Sequence, residues 1–167
     1  MKRSSPEKVP LRVADVVDDV LGLIAAESAT RNVVIRTDVE SGLPLVLGDR
    51  VQLQQVLLNL VVNAMDAMSA VAEGERLLEI RGRADRQDGS PRAALINVED
   101  RGIGLEPGQA ESVFDAFYTT KPHGMGIGLA ISRSIIEAHG GRLWAESKEG
   151  PGATFSFRLP AAGPAAS

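Results

Sequence analysis

Asn59 and Asn63 stand one turn apart in RVQLQQVLLNLVVNAMDAMSA. At about 100° per residue they share a stripe roughly 80° wide with Gln52, Gln55 and Asp66, and nearly everything else on the helix is apolar. A solvated helix face carries Lys, Glu and Arg. A line of amides with one carboxylate, flanked by Val56 and Val62, is either the polar lining of a cavity or the thin wet side of a core helix. Downstream, Asp100-Arg-Gly102-Ile-Gly104 follows an apolar run. Its glycines either let the backbone approach a flat ligand that the carboxylate accepts a hydrogen bond from, or form an ordinary turn after a strand. Gly124-Met-Gly126-Ile-Gly128 then runs straight into a helix, where unpaired backbone N–H groups and the helix dipole favour an anion such as phosphate. No Gly-Lys-Ser/Thr follows, so this is not a P-loop, and Ile131 stands where a dinucleotide fingerprint wants a small residue. Between the two clusters FDAFYTTKPHG supplies Thr119, Thr120 and Lys121, a loop with a cation suited to phosphate or simply a surface lysine.

The elements that must position these residues follow from periodicity. Val13, Val16, Val17, Val20, Leu21 and Ile24 recur at helical spacing, and NVVIRTDVE alternates as a strand does. SGLPLVLGD gives a turn and a short extended piece, after which Asp49 and Gln52 resemble a capping box opening a helix over about 50–70. RLLEIRGRADRQ and RAALINVEDRG read as strands joined by a Gly-Ser-Pro turn. PGQAESVFDAF begins a third helix, GIGLAISRSIIEAHGG forms a fourth ended by glycine, and GRLWAESKE with GATFSFRLP makes a terminal hairpin. This order predicts an α/β two-layer sandwich with a mixed, largely antiparallel sheet covered on one face by helices. Residues 1–10 read as a polar leader, 11–160 as one domain and 161–167 as a disordered tail.

Composition closes off other chemistries. A chain of 167 residues with 44% hydrophobic and 24% charged residues has the balance of one folded domain. Eighteen Lys and Arg against 22 Asp and Glu are too acidic and mixed for a nucleic-acid binder resting on charge. Without cysteine, and with His123 and His139 alone, the chain has no disulfide, no thiol nucleophile and no imidazole cluster. No apolar run has the length of a membrane span and the start lacks a signal-peptide core, which points to a cytoplasmic protein or piece without direct membrane contact.

Taken in order, these stretches resemble the nucleotide-binding catalytic domain of bacterial sensor histidine kinases, within the wider GHKL family that includes gyrase and the large heat-shock chaperone ATPases. NLVVNAMDAM looks like its N box, EDRGIGL its first glycine box, FDAFYTTK its F box, GMGIGLAISRSIIEAHGGRLWAES its second glycine box and GPGATFSFRLP its closing strand. The likeness spans residues 11–160, and NAMDAM with the short TTKPHGMGIGL lid is closest to the nitrogen- or oxygen-sensing type. It implies the Bergerat α/β sandwich and an ATP site with Mg²⁺. Asp100 would accept from the adenine amino group, with Thr154 supporting it through water. Asn63 would bind Mg²⁺, with Asn59 beside it. Gly124, Gly126, Gly128 and Leu129 would line the triphosphate, with Gly102, Gly104, Thr119 and Thr120 completing the cofactor surface and Lys121 approaching the outer phosphate. Asp66 matches a position that contacts nucleotide in some relatives.

Asn59 separates branches of that family, because ATP-hydrolysing relatives and serine-phosphorylating anti-sigma kinases tend to carry Glu there, and an amide cannot take the proton of an attacking water. The resemblance therefore implies phosphotransfer to a histidine of a separate dimerisation domain, and through it to a response regulator. His123 and His139 are each followed by glycine, unlike the acceptor histidine of these kinases. A GHKL-type ATPase, an anti-sigma serine kinase and a nucleotide-sensing module without transfer are the other readings.

Overall fold

The computed structural model describes residues 8–115 and 128–163. Helix α1 (Val13–Thr30) buries Val13, Val16, Val17, Val20 and Ile24, the residues whose spacing marks it. Helix α2 (Arg50–Ala67) buries Leu53, Val56, Leu57, Leu60, Val61, Ala64 and Met65, so its apolar arc is wider than that of a surface helix. Strands β2 (Val34–Val39), β4 (Leu77–Gln87), β5 (Ser90–Glu99), β6 (Arg142–Ser147) and β7 (Ala153–Pro160) form a five-stranded sheet in the order β2-β4-β5-β7-β6. The β2/β4 pair is parallel and the other three pairs are antiparallel. Helices α1, α2 and α4 (Gly128–Ala138) lie with one side of this sheet in a single core, which makes the two-layer, largely antiparallel sandwich expected of the sequence.

Alternation along the strands separates the two faces. Leu78, Ile80, Ile96, Val98, Phe155, Phe157 and Leu159 point into the core. The intervening residues make an outer face of ion pairs, with Arg81 bonded to Glu79 at 3.2 Å and Glu99 at 2.9 Å, and Arg158 to Asp85 at 2.9 Å. Half-exposed pairs of this kind contribute little each, so the sheet is held by its buried side. No helix among the described residues is long and apolar enough to cross a membrane.

Several local expectations change. A short strand β1 (Val9–Leu11) pairs with β3 (Val46–Gly48), taking Val9 and Pro10 out of the polar leader. Beyond β7, Ala161 bridges Val46 and the Ala162 N–H donates to the Leu45 carbonyl, so the first residues of the tail are tied down. The β4–β5 turn is Asp88-Gly89, both at positive φ (53° and 79°), and Ser90 and Pro91 belong to the strand. Two left-handed residues in succession suit the twist of a tight hairpin, which Gly-Ser-Pro would not. The third helix, α3, shrinks within the described residues to one turn, Gln109–Ser112.

The capping box is only half formed. Asp49 accepts from the Gln52 N–H at 2.9 Å, but the Asp49 N–H donates to Nε2 of the buried His139 at 3.0 Å rather than to the Gln52 side chain. Since Nε2 accepts, Nδ1 carries the proton and donates to the Ile135 carbonyl at 2.8 Å. His139 thus joins the C-terminal end of α4, where Gly140 (φ 78°) turns the chain, to the start of α2. His139→Leu is expected to strand that backbone N–H and lower unfolding free energy by about 1–3 kcal/mol, read as a reduced urea midpoint with an unchanged slope. An unshifted midpoint would show the bond to be dispensable.

Candidate functional site

Asp100 lies at the end of β5 and is only 1% exposed. Its backbone N–H pairs with the Ala153 carbonyl of β7 at 3.0 Å, and its Oδ1 accepts from the Gly102 N–H at 2.8 Å. Burial pushes its pKa up from the ordinary value, against the pull of the Gly102 and Ala153 backbone and the Lys148 ammonium. Such a carboxylate is poorly solvated and gains from a ligand that brings an N–H donor.

The glycines around it serve the chain's own backbone. A Cβ on Gly102 would stand 2.3 Å from the Ala67 carbonyl at the end of α2, which also accepts from the Ile103 N–H at 3.2 Å. Gly104 adopts φ 75° close to the Gly152 carbonyl, and a Cβ on Gly152 would stand 1.9 Å from the Asp100 carbonyl. Room for a flat ligand is therefore not what requires Gly102 and Gly104. They let the Asp100 loop press against α2 and β7, which fixes the carboxylate.

Thr154 is not brought to Asp100. It pairs with Glu99 in the β5/β7 ladder and so shares the outer face with it, whereas Asp100 turns to the other side. The strand position on the Asp100 side is Ala153, 3% exposed and without a hydroxyl. The expected support of Asp100 by Thr154 through water is corrected accordingly.

The stripe on α2 divides along its length. Gln55 is exposed and Gln52 half-buried near the cap. Asn59 Nδ2 donates to Ser132 Oγ at 3.1 Å and to the Gly128 carbonyl at 3.3 Å, docking the amide on the first turn of α4. Asn63 follows one turn on, half-buried. Asp66 is engaged by Arg31 Nη1 at 2.6 Å. Gly128 and Leu129 open α4, and among the described residues a Cβ on Gly128 would meet nothing nearer than Asn59 Nδ2 at 4.0 Å. Thr119, Thr120, Lys121, Gly124 and Gly126, with His123, lie outside the described residues. Ser132 escaped sequence reasoning: it is a completely buried hydroxyl whose only signal was its place one turn after Gly128.

Helix α2 is the rail along which these groups are set. From Asn59 to Ala67, where the Asp100 loop docks, is about 12 Å at 1.5 Å per residue. That length suits an elongated ligand with a flat donor-bearing end at Asp100 and an anionic end at the N-terminus of α4. The described residues contain no group of three or more His, Cys, Asp or Glu able to hold a metal. Among the described residues a hard cation would find amide oxygen here, beside the ligand's own oxygens, a donor set that Mg²⁺ accepts.

Comparison with known proteins gives a consistent match. The model of the family described as histidine kinase-, DNA gyrase B-, and HSP90-like ATPase matches residues 48–163. The chain is 42% identical over 160 residues to the sensor protein FixL of Bradyrhizobium diazoefficiens, covering 96% of this chain and 30% of that protein. It spans less than a third of the first curated relatives that it matches. Among solved structures it is similar to the nucleotide-free catalytic domain of histidine kinase ThkA, with a TM-score of 0.79, 30% identity and coverage of 92% of this chain and 95% of that one. It is also similar to full-length ShkA in complex with AMPPNP, with a TM-score of 0.79, 28% identity and coverage of 97% and 33%.

Proposed function

The chain belongs to the histidine kinase-, DNA gyrase B-, and HSP90-like ATPase family, and from that premise we propose that it is the ATP-binding catalytic domain, residues 11–160, of a cytoplasmic or cytoplasm-facing sensor histidine kinase. It transfers the γ-phosphate of Mg-ATP to a histidine on the separate dimerisation domain of the parent kinase, from which a response regulator takes it. The observation that carries this reading is the buried Asp100 carboxylate, docked by its loop at the end of α2 about 12 Å along that helix from the Asn59 amide, which sits on the first turn of α4.

Each residue then has a part. Asp100 accepts from the exocyclic amino group of adenine and turns guanine away, since guanine offers a carbonyl at that point. Asn63 supplies an amide oxygen to Mg²⁺, which when bound neutralises phosphate charge. Gly128 and Leu129, with Gly124 and Gly126 before them, receive the triphosphate at the helix N-terminus, and Thr119, Thr120 and Lys121 offer hydroxyls and a cation to it. Asn59 offers no base to water. An imidazole acceptor brings its own lone pair, so the domain's contribution is to hold the phosphoryl group in line with it.

Incubating the isolated chain with labelled ATP, alone and with the parent's dimerisation domain, tests the reading. Label is expected on a histidine of the added domain and none on the chain, with little free phosphate. Label on the chain itself, rapid phosphate release, or label on serine of an added protein would reject it in favour of a self-modifying enzyme, an ATPase or an anti-sigma kinase.

A further inference from the structure

Ser132 is a buried polar residue beside the site for which the proposed reaction has no use. It is completely buried on α4, one turn after Gly128, and its Oγ accepts from Asn59 Nδ2 at 3.1 Å. The other acceptor of that same nitrogen is the Gly128 carbonyl at 3.3 Å. A carboxamide has nearly the same shape either way round, and a hydroxyl can accept from its NH₂ or donate to its oxygen, so the Gly128 carbonyl decides which end faces α4 and Ser132 anchors that end. Turned over, Asn59 would set its oxygen against the Gly128 carbonyl and turn its NH₂ group away from α4.

We propose that Ser132 is a positioning residue that, together with the Gly128 carbonyl, holds the Asn59 NH₂ group against α4 and so keeps its carbonyl oxygen outward, where the phosphate end of the site presents an acceptor for a hydrated divalent cation. This rests on the reading of the site as one for Mg-ATP. The chemistry follows from which atom is left over: Oδ1 cannot donate to a phosphate oxygen, but it can ligate a hard cation or accept from a water that the cation carries. Partners that orient a ligand in this way commonly govern metal affinity as strongly as some ligands do. Ser132 touches neither nucleotide nor cation, and its whole effect runs through Asn59.

The test titrates the 167-residue chain with ATP in EDTA and in Mg²⁺, in wild type, Ser132→Ala, Asn59→Ala and the double variant. Wild type is expected to bind ATP more tightly with Mg²⁺. Ser132→Ala is expected to lose about tenfold of affinity in Mg²⁺ and less than about twofold in EDTA, and to add nothing further in the Asn59→Ala background. Ser132→Thr, which keeps the hydroxyl, is expected to restore the Mg²⁺ increment. An equal loss in EDTA and Mg²⁺, an equal loss on the Asn59→Ala background, or no loss would each overturn the assignment and leave the Mg-ATP reading standing. Failure of the wild-type chain to bind ATP under either condition would remove both. Where Ser132→Ala unfolds, amide NMR of the wild-type chain decides. The Asn59 NH₂ protons should exchange slowly and stay protected when Mg-ATP is added, and rapid exchange in the free chain would overturn the proposal.

Discussion

Asp100→Asn is expected to weaken ATP binding by at least about tenfold and to erase the preference for adenine over guanine. The asparagine keeps the shape and can still accept from the Gly102 N–H, but it replaces a buried anion that needs donors with a neutral amide that brings its own. The pH dependence separates this from a loss of shape. Burial has pushed the Asp100 carboxyl up, and an incoming N–H donor favours its ionised form. Binding therefore draws the pKa back down and, once pH is lowered to the raised value, releases a proton. Affinity is fully present above the raised folded-state pKa and declines as pH falls through it. Calorimetry in buffers of different ionisation enthalpy reads that proton directly, and in Asp100→Asn it should vanish. The ligand-free variant should melt no lower than wild type, because the fold no longer buries a charge. Equal ATP and GTP affinity in the wild-type chain would sink the assignment of Asp100 to the base.

Gly152→Ala should unfold the domain or come close to it. A Cβ there stands 1.9 Å from the Asp100 carbonyl and 2.9 Å from the Arg101 Cα, both of them backbone, at φ 105°. Neither side can yield without prising the Asp100 loop from β7, and the cost is about 3 kcal/mol or more. Gly150→Ala is the matched control: φ is 85°, but among the described residues a Cβ there meets nothing within 4 Å. It should cost only the backbone preference, about 1 kcal/mol. Chemical denaturation of the two variants side by side measures the difference. Similar midpoints would mean that the loop gives way easily, and the rigid seat argued for Asp100 would fall with it.

What could be read from the sequence was what a single element carries within itself. The valines of α1, the apolar arc of α2 and the glycines about Asp100 are local signals, and each element formed where its pattern lay. Thr154 was misplaced because a strand's parity depends on its partner. Only the pairing of Thr154 with Glu99 shows that its neighbour Ala153 is the one beside Asp100. Asn59 with Ser132, and Asp49 with His139, are contacts between elements 73 and 90 residues apart, which no periodicity records. At the β4–β5 turn two adjacent signals competed, and the twist of the hairpin selected Asp88-Gly89 over Gly-Ser-Pro.

The place of β7 in the sheet governs the order in which the domain can be made. It is the last strand in the chain, yet it sits between β5 and β6 and pairs with both. As the polypeptide leaves the ribosome, β4 and β5 can close their hairpin early, but β5 keeps a bare edge and Phe155, Phe157 and Leu159 are missing from the core until β7 itself emerges. During that interval the nascent chain carries an open strand edge and an unfilled apolar face, the features that recruit chaperones and invite misassociation. A stop codon before residue 153 would therefore do more than remove one strand: it would split the sheet in two and leave Asp100 without the backbone partner that seats it.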